Sequence, residues 1–195
     1  MGFTEFTEPL RELVAGQAFL VVCCTVYLIW WCIAFRPGVA SGGWLSGILL
    51  LTILVLAARG VTFDIRAVRA LSGAVGVITY GLLAMVVAYL ALLFITVKLF
   101  HRVPTTELLL IVFWGVLETA VFISLRLAGF LTIEGLYIAL IVIGVTTMVS
   151  LVCYVVYYRL DEWPAFYCGM LPLGLDGIVM TCLTAEVVKN LEQSI

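Results

Sequence analysis

Long apolar runs, broken by charge at intervals of about one bilayer crossing, leave few folds open to this chain. A helix needs about 20 apolar residues to cross roughly 30 Å of hydrocarbon. Six stretches meet or approach that length, at about 13–35, 43–58, 71–97, 108–125, 136–158 and 166–188. Arg36-Pro37-Gly38 closes the first, Arg59-Gly60 the second, Lys98 the third, Arg126 the fourth and Arg159 the fifth. Pro104-Thr105-Thr106 opens the fourth and Asp161-Glu162-Trp163-Pro164 the sixth. Proline suits a first helical turn, whose N–H groups lack partners anyway, and acidic residues suit the positive end of the helix dipole.

Composition excludes the soluble alternatives. Hydrophobic residues make up 65% of the 195 and charged residues 11%, too few for the polar shell of a soluble domain. A net charge of −2 offers no basic footprint for nucleic acid. The spacing therefore predicts an all-α, polytopic integral membrane protein, with six transmembrane helices in one bundle forming a single domain over 1–195. The connections are short, and none has room for an extramembrane domain. The longest, 59–70, carries Arg59, Asp64, Arg66 and Arg69 and reads as an interfacial turn or short surface helix. Ahead of the first span, Phe3, Phe6, Leu10 and Leu13 recur at helical spacing. They predict a short amphipathic lead-in over 1–12 that lies on the membrane, with a frayed terminus as the alternative.

With six spans both termini share a side. That side gathers Arg11, Arg59, Arg66, Arg69, Arg126 and Lys189, against Arg36, Lys98, Arg102 and Arg159 opposite. The excess predicts a multi-pass protein of the plasma (inner) membrane with both termini in the cytoplasm. No basic n-region or small-residue cleavage site precedes the first span, so it is expected to be retained. A division into inverted halves of three helices finds Arg36 matched by Arg126 and Ile48 by Ile138, but nothing else aligns.

Two carboxylates stand where charge is costly. Glu118 in the fourth span and Asp176 in the sixth each lie within about 2 Å of the span midpoint at 1.5 Å per residue. Ionised there, each costs roughly 2.5–3.5 kcal/mol, so each must be protonated, paired or facing a wet cavity. Such a pair can hold a proton or bind a cation. Around Asp176 the sequence runs Gly169-Met170-Leu171-Pro172-Leu173-Gly174-Leu175-Asp176-Gly177. Pro172 strips the Cys168 carbonyl of its helical partner, and Gly174 and Gly177 loosen the same turn. Pro172, Gly174 and Gly177 thus predict a helix break beside the carboxylate, a device that builds midplane ion sites; a kinked helix with Asp176 bonded to a neighbour is the plain alternative. Thr146 and Thr147 in the fifth span lie at the same depth, with Ser150 one turn on, and are candidates to bond either carboxylate. Trp114 and Gly115 share the helical face of Glu118. Gln17 and Glu186 fall near span ends, where the interface wets them.

The remaining residues point away from catalysis. Tyr27, Trp30, Trp31, Trp44, Tyr157, Tyr158, Trp163 and Tyr167 cluster near helix ends as an interfacial belt. The six cysteines lie inside apolar runs with no CxxC and no histidine nearby, so no metal or iron–sulfur site is expected. Cys32 and Cys168 are the pair placed for a disulfide. His101, the one histidine, cannot give a haem two axial ligands. No nucleophile–base set or phosphate loop is present, and neither enzymatic activity nor a cofactor is expected.

The pattern predicts a small transporter or channel for an ion or small solute, with Glu118, Asp176, Thr146 and Thr147 binding it. The alternative is a non-catalytic subunit or anchor of a larger complex, such as the substrate-capture subunit of a transporter. The expected partners are the bilayer, a small ion or solute, and a second copy or other membrane subunits.

Overall fold

A computed structural model describes residues 8–38, 43–73, 75–99, 101 and 106–194. It contains six helices: α1 Glu8–Ala34, α2 Gly43–Ser72, α3 Val75–Leu99, α4 Thr106–Leu127, α5 Ile133–Tyr157 and α6 Glu162–Ser194. All six are long and apolar enough to cross a membrane, and no strand occurs among the described residues. The chain is an all-α helical bundle. Backbone groups in hydrocarbon have no water to bond, which is why each crossing closes its hydrogen bonds within a helix.

Local chemistry sets the helix ends. Gly73 takes a positive φ of 58° and lets α2 reverse into α3 almost at once. Gly129, at φ 86°, follows α4, and the Phe130 N–H returns to the Leu125 carbonyl at 3.0 Å. The Thr132 hydroxyl caps α5 by accepting the Gly135 N–H at 3.1 Å.

Three expectations are corrected. The second helix does not end at Arg59: α2 is unbroken from Gly43 to Ser72, and the 59–70 segment is neither a turn nor a separate surface helix but its continuation. Its two faces explain why. Gly60, Asp64, Ala67 and Val68 turn inward and are buried, while Arg59, Thr62, Arg66 and Arg69 turn outward. The three arginines thus share one face instead of interrupting the helix. The lead-in is not a separate surface element from Glu8 onward, because α1 begins there and packs Leu10 and Leu13 into the core; residues 1–7 lie outside the described residues. Finally, α6 does not break. Pro172 sits inside a helix that continues to Ser194, with Gly174 and Gly177 also helical. One missing N–H bond removes one link, and the packed neighbours α1 and α5 hold the rest in register.

The helices α1, α2, α4, α5 and α6 close a ring, each packed on the next, and α6 returns to α1. The α1–α2 contact is the most extensive. Outside the ring, α3 rests in the groove between α2 and α4, and of its described side chains only Thr96 is buried. The core of the ring runs from Leu10 and Leu13 through Ala67, Val121, Leu125, Ile143 and Leu183. Trp31, near the end of α1, is buried against α6. Its ring presses on Gly169 where any Cβ would collide, and its indole N–H donates to the Phe166 carbonyl at 3.2 Å.

Candidate functional site

The ring interior carries polar side chains from all five of its helices. At their centre is Gln17 of α1. Its Nε2 donates to Asp64 Oδ2 of α2 at 3.0 Å and to Glu118 Oε1 of α4 at 3.2 Å. Gln17 is 3% exposed, and Asp64 and Glu118 are not exposed at all. Reckoned at 1.5 Å per residue, Asp64 sits about 12 Å inside the end of α2 at Ser72 and Glu118 about 14 Å inside the end of α4 at Leu127. Gln17 is enclosed among α1, α2 and α4 and spends its amide on the two acids, so the expectation that the interface wets it is corrected.

The backbone makes this approach feasible. Gly16 lies against Asp64, and a Cβ there would strike the carboxyl oxygen and stand 3.0 Å from the Asp64 backbone nitrogen. Gly60 faces back, and its Cβ would fall 2.7 Å from Leu20 Cδ2 and 3.0 Å from the Gly16 carbonyl oxygen. Two glycines thus bring α1 and α2 together and place a carboxyl beside the amide. One oxygen of each acid is left over: Asp64 Oδ1 and Glu118 Oε2 are buried without a hydrogen-bond partner among the described residues. Among the described residues, no Arg or Lys forms an ion pair with either. The described ion pairs, Arg66–Glu12 and Lys189–Glu186, each span 3.8 Å near the helix ends.

Asp176 lies deeper along the bundle. Its neighbour Gly177 faces Cys24, seven residues along α1 from Gln17, which puts Asp176 about 10 Å farther from the termini. Asp176 and Glu118 remain close enough to act on each other electrostatically, but the amide-bridged partner of Glu118 is Asp64. The Ser150 hydroxyl neighbours the Asp176 carboxyl, and neither Ser150 Oγ nor Asp176 Oδ1 closes a well-formed hydrogen bond. Thr147 rests against Gly115, where a Cβ would approach its hydroxyl at 2.9 Å. Thr146 is buried on the same helix. Leu20, Leu117 and fully buried Met180 form a separate apolar cluster, against which Trp114 packs.

Two cavities flank α3. One of about 60 Å³ lies among Val68, Ile78, Gly81 and Phe113, and one of about 220 Å³ among Thr96, Leu108, Leu151 and Tyr154. Both are apolar, and neither is lined by Asp64, Glu118 or half-buried Asp176. All six cysteines are free thiols: Cys32 meets Met170 Sδ, and Cys168 donates to the Cys153 carbonyl at 3.5 Å, so the two do not pair.

The sequence singles out Glu118 and Asp176; the structure joins Glu118 to Asp64 and Gln17, which the sequence left among the connection and span-end residues. The signal for Asp64 was the recurrence of Ile53, Gly60, Asp64 and Ala67 at helical spacing opposite Arg59 and Arg66. For Gln17 it was the register with Leu10, Leu13 and Leu20. No protein-family model matches this chain, and no curated protein and no solved structure matches it either.

Proposed function

We propose that this chain is a small membrane transporter driven by protons, with Asp64, Gln17 and Glu118 as the proton-binding site. The observation that carries the reading is one amide holding two fully buried acids, each with an oxygen to spare. Two carboxylates at this depth are costly as a pair of charges, and a shared proton relieves that cost. A metal cation fits poorly. Hard cations take six or more oxygens, and here an amide N–H₂ already points at the two acids. The closely packed interior favours a carrier that changes shape over a permanently open channel. With Arg59 inside α2, the charge count favouring cytoplasmic termini narrows to five against four, and the same orientation is kept.

Reconstitution tests the reading. Vesicles containing the protein and a pH-sensitive dye should acidify when a potassium-diffusion potential draws protons in. Asp64→Asn and Glu118→Gln should each reduce that flux by about a hundredfold while leaving the protein folded. Normal flux in both variants would rule the proposal out.

One observation favours a second reading, that of a non-catalytic subunit. Arg59 is exposed on α2, seven residues and about 10 Å deeper than Arg66, facing outward where lipid is a poor partner. A neighbouring subunit with an acid at that depth would satisfy it. Co-purification of a membrane partner that Arg59→Leu releases would support this reading.

A further inference from the structure

We infer that Asp176 is a second proton station, joined to Glu118 by a relay of water held on Trp114, Thr147 and Ser150; this rests on the proton-driven reading above. The placement of the polar atoms carries the inference. Glu118 Oε2, Trp114 Nε1, Thr147 Oγ1, Ser150 Oγ and Asp176 Oδ1 are all buried, and none closes a hydrogen bond among the described residues. They follow one another along the bundle. Trp114 is one turn from Glu118 on the same face of α4, and Thr147 lies against Gly115 beside it. Ser150 is the next turn of α5, 1% exposed, and it neighbours Asp176. Single buried polar atoms left open are costly, whereas a run of them is what bridging water satisfies, at about three hydrogen bonds per molecule.

The chemistry of these atoms suits protons. An indole N–H only donates, a carboxylate only accepts, and a hydroxyl or a water does both. A proton leaving the Asp176 carboxyl forms a bond to a water oxygen while that water gives up another along the line. The last transfer ends on Glu118. No electrons move, and each bridging molecule regains its starting composition once it reorients. Leu20, Leu117 and Met180 pack into an apolar cluster that offers no side-chain oxygen or nitrogen, so the hydroxyls of Thr147 and Ser150 carry the route.

The test uses the full-length protein in vesicles, with Ser150→Ala, Thr147→Val and Asp176→Asn beside Asp64→Asn. The relay predicts a loss of about tenfold in proton flux for each hydroxyl, the worth of one hydrogen bond, and about a hundredfold for Asp176→Asn. Flux that survives intact in Ser150→Ala and Asp176→Asn, while Asp64→Asn abolishes it, overturns the relay and leaves the proton-driven reading standing. If the wild-type protein moves no protons, the functional reading fails and the relay is judged by infrared spectroscopy. A buried-water O–H band that shifts in ¹⁸O-water and disappears in Ser150→Ala would support it, and the absence of such a band would overturn it.

Discussion

Gln17 is the residue on which the buried acids depend. Replacing it with Leu removes both N–H donors and leaves Asp64 and Glu118 facing each other unbridged. A loss of about 3 kcal/mol in unfolding free energy is expected, measured by denaturant titration in detergent. A double-mutant cycle with Glu118→Gln should show strong coupling, because the second change removes the charge that the first leaves unsupported. Gly16→Ala tests the same spot through shape. Its methyl group meets the Asp64 carboxyl and a backbone nitrogen 3.0 Å away that cannot swing aside. A loss of about 2 kcal/mol or more is expected, whereas Gly144→Ala, with nothing within 4 Å, should be neutral or slightly stabilising.

At the scale of helices, two judgements made from the sequence met packing that they could not contain. A charge read in isolation ends a span, so Arg59 closed the second crossing; read with its helical neighbours, it occupies the outer face of a helix whose inner face carries Asp64. Proline read in isolation breaks a helix, yet Pro172 costs α6 one bond that α1 and α5 can compensate. Pro172→Ala should therefore leave proton flux within about twofold and raise the melting temperature, since it restores an N–H to the Cys168 carbonyl. Arg59→Leu separates the two functional readings. A chain that faces lipid at this position should gain about 2–3 kcal/mol from losing the charge, whereas a subunit should lose its partner. The six crossings, Glu118 and Asp176 were legible because charge spacing and depth are one-dimensional properties. The Asp64–Gln17–Glu118 contact was not, because it joins residues 47 and 101 positions apart through two glycine contacts that pairing alone reveals.

At the scale of the whole molecule, a five-helix ring encloses the polar residues and α3 stands outside it. That arrangement puts Asp64, Gln17 and Glu118 where α1, α2 and α4 meet, so a change in their protonation acts on the packing of three helices at once. This is the requirement for a proton to drive a change of shape. Infrared spectroscopy of the protein in lipid nanodiscs, comparing wild type with Asp64→Asn and Glu118→Gln, tests the central claim most directly. A proton held at the site gives a carboxylic-acid C=O band in the wild type that is lost in at least one variant and shifted by Gln17→Leu. Spectra with only ionised carboxylate bands from Asp64 and Glu118 would contradict it, because the site would then hold two charges and no proton.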